Sequence, residues 1–255
     1  MTEFFKKFKR NHVNTNHQGR SVSPIYEGKQ FSKQKEAFKR LRDNILFYSL
    51  DGNKKVIEIV SSISFEAKTT LAINLAVSLS QSDKKVLIID LDLKKPKVHR
   101  TFGFINSDGL VDYLLGKTDR SSMIKHTAYK NLDVINRGSS APDSSVIFES
   151  KKFQDLIEQL KSTYDFIILD SSPILLTSDY IYISKVSDGA IFAVAYAATK
   201  KQQVNEALSL LKSINTPIIG AVFTFFDSKR SADYADYYYD YYNYYSYDGK
   251  DSQLK

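Results

Sequence analysis

The 255-residue chain carries a formal net charge of +7 and contains no cysteine. The lack of cysteine excludes a disulfide framework, thiolate zinc sites and thiolate-held iron–sulfur clusters. The balance of 42% hydrophobic and 25% charged residues is typical of a soluble globular protein, and the length is sufficient for one sizeable core.

The positive charge is concentrated at the start of the chain. Residues 1–50 contain eleven Lys or Arg and four Asp or Glu, so this segment alone accounts for the whole excess. Residues 1–30 are polar and have no hydrophobic period, which predicts a flexible basic arm. Such an arm is either a solvated tail or a contact with anionic lipid, nucleic acid or an acidic partner.

A helix is predicted over residues 32–48. Its apolar residues recur at spacings of three and four, which places them on one face. These apolar residues are Ala37, Phe38, Leu41, Ile45 and Leu46. Glu36, Lys39 and Arg42 form a charged stripe, so we expect the helix to dock by one face and to display the other.

From residue 54 onward, short β-branched segments alternate with longer helical patterns. Strands are predicted over residues 56–60, 86–89, 132–135, 166–169, 189–196 and 218–223. Helices are predicted over residues 70–80, 148–160, 178–186 and 202–211, and a helical stretch is predicted between the strands at 86–89 and 132–135. Because the strands are continuously apolar, they are expected to be buried on both faces. The pattern predicts an α/β fold with a doubly wound, mostly parallel sheet, in one domain over residues 31–230.

No membrane span is predicted. The longest nearly apolar run, residues 189–198, is about half of the ~20 residues that a spanning helix needs. The basic N-terminus is not followed by the apolar segment of a secretory signal. We therefore expect a chain that neither spans a membrane nor is secreted.

The segment after the first predicted strand has the parts of a phosphate-binding loop (P-loop). In a doubly wound sheet, ligands bind beyond the carboxyl ends of the strands. A lysine for the β- and γ-phosphates, a hydroxyl for Mg²⁺ and a helix N-terminus are the working parts of such a loop. The predicted nucleotide-binding residues here are Ser64, Phe65, Glu66, Ala67, Lys68, Thr69 and Thr70.

Carboxylates follow two further strands. Asp90 and Asp92 come after the strand at 86–89, and their spacing of two predicts that they point the same way; Asp170 follows the strand at 166–169. An Asp at a strand end is more often a helix cap or a solvated loop residue. Three of them in chain order at one sheet edge favour a Mg²⁺ site.

Four stretches together resemble one protein family. Residues 86–103, which contain Asp90-Leu91-Asp92, resemble its second Walker motif, and residues 164–173 resemble its Walker B segment. Residues 36–45 resemble the helix through which members assemble into rings, and residues 231–255 resemble a tyrosine-rich tail. The family is that of the bacterial tyrosine kinases of capsule and exopolysaccharide synthesis, which are relatives of the deviant P-loop ATPases MinD and ParA.

The resemblance implies ATP and Mg²⁺ as cofactors. It implies that Lys68 binds the β- and γ-phosphates, and that Thr69 and Asp170 hold Mg²⁺. Asp90 would be a further metal ligand and the base that accepts the proton of the tyrosine hydroxyl. Asp92 would assist the metal.

The last 25 residues are the one low-complexity segment. Residues 231–255 contain nine Tyr, five Asp and two Lys without an apolar period, which predicts a disordered tail. The resemblance implies that this tail accepts phosphate in trans within an oligomer. The candidate phosphoacceptors are Tyr234, Tyr237, Tyr238, Tyr239, Tyr241, Tyr242, Tyr244, Tyr245 and Tyr247. An adhesive tail that stacks on partners or bases is the alternative, and its Asp content argues against nucleic acid.

The resemblance also implies partners. Glu36, Lys39 and Arg42 would join copies of the chain into a homo-oligomeric ring. A membrane-bound activator and chain-length regulator would contact the kinase through its cytoplasmic tail, and a cognate tyrosine phosphatase would reverse the reaction. The protein would then work in the cytoplasm at the inner face of the membrane and control polysaccharide polymerisation and export.

The chain departs from the family pattern at the P-loop. The family reads Pro-Gly-x-Gly-Lys-Ser/Thr, whereas Phe65 and Ala67 stand at the two glycine positions, and Thr224 stands where an Asn usually meets the adenine. A Cβ at positive φ costs about 1 to 2 kcal/mol. A degenerate adaptor without ATP turnover is therefore one alternative, and a MinD/ParA-like positioning ATPase is another. The tyrosine tail and the Asp90 and Asp92 pair disfavour the second.

Overall fold

The computed structural model describes residues 32–50, 54–141 and 143–226. The predicted basic arm, residues 1–30, and the tyrosine-rich tail, residues 231–255, lie outside the described residues. The helices, in chain order, are α1 (Ser32–Tyr48), α2 (Lys68–Ser80), α3 (Val98–Thr101), α4 (Leu110–Leu114), α5 (Arg120–Met123), α6 (Ser144–Glu149), α7 (Lys151–Lys161), α8 (Tyr180–Val186) and α9 (Lys201–Ser213). A short 3₁₀ turn, Ile174–Leu176, precedes α8.

The described residues form a seven-stranded sheet. Its strands are β1 (Val56–Ser61), β2 (Val86–Asp90), β3 (Ile124–His126), β4 (Leu132–Ile135), β5 (Phe166–Asp170), β6 (Gly189–Ala195) and β7 (Ile218–Thr224). The strand order is β3-β4-β2-β5-β1-β6-β7, and every neighbouring pair is parallel except β3 with β4. The predicted α/β fold with a mostly parallel sheet is confirmed.

Side chains of the central strands enter hydrophobic clusters on both faces of the sheet. In β5, Ile167 and Leu169 pack with α6, α7 and α8, whereas Phe166 and Ile168 pack with α2. This alternation follows from the pleat of a strand, which directs successive side chains to opposite faces. Because both faces are covered by helices, the strands have no solvent-facing side, which explains their continuous apolar sequence.

Helix α1 covers the edge of one of these clusters. Ile45 is fully buried against α2, and Phe38 and Leu41 pack against the same cluster. The hydroxyl of Tyr48 donates a hydrogen bond to the carbonyl oxygen of Asp188 at 3.0 Å. The helix therefore docks by its apolar face.

Three local features differ from the sequence-based expectation. The helix predicted over 148–160 is interrupted at Ser150, whose extended backbone ends α6 and whose hydroxyl caps α7 by accepting the Phe153 amide at 3.2 Å. The helical stretch predicted between the strands at 86–89 and 132–135 is divided into the short helices α3, α4 and α5, and the antiparallel edge strand β3 was not predicted. Strand β2 ends at Asp90, so the alternation of side chains does not continue to Asp92.

The sheet order places the candidate site. Strands β2, β5 and β1 are consecutive neighbours, and Asp90 and Asp170 are paired in register at the carboxyl ends of β2 and β5. The loop between β1 and α2 begins beside them. Among the residues that the structure describes, no helix combines the length and apolar character needed to cross a bilayer.

Candidate active site

The P-loop adopts left-handed backbone conformations at both positions where the family pattern has glycine. Phe65 has φ of 70° and Ala67 has φ of 56°. Each Cβ is disfavoured there by about 1 to 2 kcal/mol relative to the right-handed region. The aromatic ring of Phe65 avoids a clash by extending into solvent, and the side chain is 82% exposed. The loop thus holds two left-handed residues without glycine, at the expense of local strain.

Glu66 holds this strained loop in place. Its side chain is 2% exposed, and one carboxylate oxygen accepts the backbone amide of Ile63 at 2.9 Å. The other oxygen accepts the hydroxyl of Thr199, which lies just beyond β6. The carbonyl oxygen of Glu66 accepts the hydroxyl of Thr224, at the end of β7, at 3.0 Å. Glu66 therefore ties the loop to the ends of two strands.

Lys68 begins α2 and forms a buried ion pair. Its Nζ lies 2.7 Å from Oδ1 of Asp170, and the two side chains are 6% and 0% exposed. The second oxygen of Asp170, Oδ2, is buried and has no hydrogen-bond partner among the described residues. A buried carboxylate oxygen without a partner is costly, so the arrangement suits an added cation.

Asp90 lies on the neighbouring strand and is fully buried. Its Oδ2 accepts the backbone amides of Lys97 at 2.9 Å and Val98 at 3.0 Å, at the start of α3. Its Oδ1 has no hydrogen-bond partner among the described residues. Burial, followed by the negative charge of Asp170, raises the pKa of Asp90. Both causes disfavour the charged carboxylate until a positive charge is added nearby.

Asp92 has a different environment from Asp90. Its side chain is half-buried, its Oδ1 accepts the backbone amide of Lys95 at 3.0 Å, and the hydroxyl of Ser172 approaches it at 3.4 Å. Asp92 lines the cleft beside the P-loop, whereas Asp90 does not. The expectation that the two carboxylates point the same way assumed a strand that continues to Asp92, whereas β2 ends at Asp90.

An open cleft of about 570 Å³ lies between the P-loop and the segment after β2. Its walls include predicted site residues: Ser64, Phe65, Glu66, Ala67, Lys68, Thr69, Thr70 and Asp92. Thr224 is not on its wall; it supports the P-loop through Glu66. Sequence reasoning did not assign these further lining residues: Asn74, Lys95, Lys97, Arg100 and Phe225. The cations Lys95, Lys97 and Arg100 belong to the segment 86–103, which resembles the second Walker motif. Their place in that segment is the sequence feature that could have assigned them to the site.

The donor set fits Mg²⁺ held together with a nucleotide. Within the described ranges, no group of three or more His, Asp or Glu side chains could hold a metal ion by itself. Mg²⁺ is usually bound by one or two carboxylates, with phosphate and water oxygens completing its octahedral shell. The unpartnered oxygens of Asp90 and Asp170, with the hydroxyl of Thr69 at the start of α2, could supply the protein part of such a shell.

Comparison with known proteins identifies the family. A family model described as an AAA domain matches residues 54–218. The chain is 33% identical to the tyrosine-protein kinase YwqD of Bacillus subtilis over 215 residues, which is 84% of this chain and 90% of that protein. The chain belongs to the bacterial tyrosine-protein kinase family.

Two solved structures are similar to this chain in fold. The chimerical protein CapA2B2 is 30% identical, with a TM-score of 0.75 over 80% of this chain and 90% of that one. The septum site-determining protein MinD of Pyrococcus horikoshii, complexed with Mg-ADP, is 24% identical, with a TM-score of 0.58 over 67% of this chain and 70% of that one. The MinD similarity shows the P-loop fold alone.

The residues that were predicted to join copies of the chain into a ring lie on α1. Lys39 lies 4.0 Å from Glu36, and both side chains are about half exposed. Arg42 pairs with Asp43 at 2.8 Å. These contacts are within one chain, so a role in ring assembly stays a prediction.

Glu58 is a further buried acid that sequence reasoning did not assign to the site. It lies in β1 within the apolar run 56–60, and its two oxygens accept the hydroxyls of Ser171 and Ser184, each at 2.8 Å. Burial raises the pKa of Glu58 to about 7. Because Ser171 follows Asp170 directly, Glu58 supports the backbone at the site. The sequence feature that could have pointed to Glu58 is its position as a single acid inside an apolar strand.

Proposed function

We propose that this chain is an ATP-dependent tyrosine autokinase that phosphorylates its own tyrosines, residues 234–247, in trans within an oligomer. The observation that carries the proposal is the buried pair of Lys68 and Asp170, which adjoins Asp90 at the carboxyl edge of the sheet. A cation and two carboxylates beside a helix N-terminus are the groups that phosphoryl transfer from Mg·ATP requires. Family membership supports the reaction type.

The proposed binding of ATP uses both ends of the ion pair. Mg²⁺ bound with ATP neutralises charge on the β- and γ-phosphates. Lys68 would hold the same phosphates through its ammonium, and Oδ1 of Asp170 would then be free to hold the metal. Thr69 supplies a hydroxyl ligand, and the amides at the start of α2 favour the phosphate charge.

Asp90 is the proposed base for the incoming tyrosine. Its unpartnered Oδ1 would take the phenolic proton as the hydroxyl oxygen bonds to the γ-phosphorus and ADP leaves with the bridging oxygen. In this role Oδ1 would not be a metal ligand, and Asp170 with Thr69 would hold the metal. Burial favours the protonated form of Asp90, which assists uptake of the proton. Because Asp90 is fully buried, the segment after β2 must move before a tyrosine reaches it. Asp92, on the cleft wall, assists the metal.

The wider role is proposed from family membership. Glu36, Lys39 and Arg42 would form contacts between copies in a ring, and a membrane-bound activator would recruit the chain to the inner face of the membrane through its cytoplasmic tail. A cognate phosphatase would remove the phosphates. Cycles of phosphorylation would then regulate polymerisation and export of a capsular polysaccharide or exopolysaccharide.

One observation favours a second candidate, an adaptor without ATP turnover. Phe65 and Ala67 hold positive φ without glycine, which makes the closed P-loop less stable. An adaptor would keep the fold and the tail and would be phosphorylated by another kinase.

Nucleotide binding separates the two candidates. The autokinase should show a rise in thermal unfolding temperature with Mg·ATP, alone or with a peptide from the activator's cytoplasmic tail. Lys68→Ala should abolish the rise. The absence of any rise in both conditions would support the adaptor.

A further inference from the structure

We propose that three exposed cations on the cleft wall, Lys95, Lys97 and Arg100, form a docking surface for an acidic, tyrosine-bearing peptide. We call these three residues the basic rim. The occupant is the segment 231–255 of a second copy of this chain. The proposal deepens the proposed function, on which it rests, by assigning the residues that select the peptide substrate.

The basic rim carries charge without ion-pair partners in the described part of the chain. All three side chains are exposed and line the cleft that contains Asp92. No carboxylate among the described residues forms an ion pair with them, whereas Lys39, Lys130 and Lys161 each lie within 4.0 Å of a carboxylate. Three unpaired cations on one wall produce a local positive potential that attracts an acidic ligand.

The basic rim follows the two candidate acids in the chain. It comes after β2, Asp90 and Asp92, and it lines the same cleft as the P-loop with Lys68. The backbone amide of Lys97 donates a hydrogen bond to Oδ2 of Asp90 at 2.9 Å, so the backbone of the rim contacts the proposed base directly. A peptide bound to the rim would therefore be held by the same segment whose backbone amides cover Asp90.

Aromatic side chains beside the rim fit a tyrosine-rich ligand. Phe65 is 82% exposed and Phe225 is 68% exposed, and both line the cleft. The ammonium of Lys97 lies 5.8 Å from the centre of the Phe65 ring. Exposed rings gain contact area when a tyrosine packs on them. This gives Phe65 a role at a position where its side chain strains the P-loop.

The segment 231–255 has the matching chemistry. It contains five Asp and two Lys, and Asp236 and Asp240 flank Tyr237, Tyr238 and Tyr239. Four residues of extended chain span about 13 Å. An extended peptide can thus place two carboxylates on the rim with tyrosines between them, so both charge and aromatic content favour this segment.

The test is binding of a fluorescent synthetic peptide of residues 231–255, without phosphate, to the full chain at low salt. Lys97→Glu with Arg100→Glu should weaken binding about tenfold or more, because two attractive contacts become repulsive. Lys85→Glu with Lys212→Glu is the matched control. It makes the same charge change near the amino ends of β2 and β7, and it should alter binding less than about twofold. Circular dichroism checks that each variant is folded.

A charge swap completes the design. A peptide with its five Asp changed to Asn should bind wild type about tenfold more weakly, and a peptide with Asp changed to Lys should bind the rim-reversed variant better than wild type. Equal weakening by the rim and control variants would contradict the proposal, as would no binding to wild type. Loss of the Mg·ATP thermal shift with unchanged peptide binding would assign the rim to the nucleotide instead. Because binding is read without phosphate transfer, its failure is distinguishable from failure of the autokinase.

Discussion

Nζ of Lys68 lies 2.7 Å from Oδ1 of Asp170, and both groups are buried at the carboxyl edge of the sheet. The pair joins the first residue of α2 to the last residue of β5, 102 positions apart in sequence. Without a nucleotide, each charge is the other's counterion. The ion pair therefore contributes to the stability of the fold and also places both residues at the proposed ATP site.

Breaking this ion pair should destabilise the protein strongly. Lys68→Ala leaves a buried, unpaired carboxylate and should lower the free energy of unfolding by about 3 kcal/mol or more. Asp170→Ala should have a similar effect, and the double variant should lose less than the sum. Urea unfolding of all four proteins measures the coupling. The more exposed pair Lys161 and Glu158, 2.8 Å apart, is the control, with an expected coupling below about 1 kcal/mol. A coupling energy between Lys68 and Asp170 as small as that between Lys161 and Glu158 would contradict burial of the Lys68 and Asp170 pair.

Glycine at position 67 should relieve strain in the P-loop. Ala67→Gly removes a Cβ at φ of 56° and should raise the affinity for Mg·ATP severalfold, with a gain in stability of up to about 1 kcal/mol. Ala197 has the same φ of 56° on an exposed loop outside the cleft, so Ala197→Gly should change stability without changing affinity. Calorimetric titration with Mg·ATP makes the comparison. Equal affinities of Ala67→Gly and wild type would show that the loop geometry does not limit binding.

Glu58 predicts a specific pH dependence of stability. Its pKa is about 7 in the folded protein, against 4.5 for an unperturbed glutamate, so the folded protein holds the proton more tightly than the unfolded chain does. The contribution of Glu58 to stability therefore falls as pH rises from about 4.5 to about 7, and is constant above that. Glu58→Gln cannot ionise, and its amide can still bond both serine hydroxyls.

We expect Glu58→Gln to match wild type near pH 5 and to exceed it at pH 8 by on the order of 2 kcal/mol. Denaturant unfolding at a series of pH values provides the measurement. The control Glu206→Gln, on an exposed side chain of α9, should parallel wild type throughout. A pH-independent difference between Glu58→Gln and wild type would mean that the acid is already ionised in the folded protein at low pH.

The two acids after β2 should differ in their effects on catalysis. Asp90→Asn removes the proposed base and should slow phosphate transfer by about 10²- to 10⁴-fold. Asp92→Asn keeps the cleft wall and should slow it about tenfold, with a raised Mg²⁺ requirement. Single-turnover labelling at several Mg²⁺ concentrations distinguishes the two. A larger effect of Asp92→Asn would assign the proton transfer to Asp92, which faces the cleft.

Much of this fold could be predicted because its signals are local. Continuous apolar runs such as 166–169 predict buried parallel strands, and the carboxyl ends of such strands meet at one edge. The three-residue strand β3 has no comparable signal, because Ile124 and Lys125 are only partly buried and His126 is exposed. The break at Ser150 depends on a single hydroxyl cap, which a periodicity pattern does not contain.

The site was less predictable because its contacts are distant in sequence. The bond from Thr199 to Glu66 spans 133 positions, and the pairing of Lys68 with Asp170 depends on the strand order. The positive φ at Phe65 could be inferred only from a family pattern with glycine. The different surroundings of Asp90 and Asp92 depend on where β2 ends, and strand ends are the least certain part of a pattern.

Transfer of the γ-phosphate of ATP to residues 231–255 tests the central claim most directly. Wild type and Lys68→Ala are incubated with γ-labelled ATP and Mg²⁺, with and without a cytoplasmic tail peptide of a membrane activator, and phosphopeptides are mapped by mass spectrometry. We predict label on tyrosines between Tyr234 and Tyr247 in wild type and none in Lys68→Ala. Mixing unlabelled Lys68→Ala substrate with wild-type kinase should label the substrate in trans. No label on this segment under any condition would contradict the autokinase.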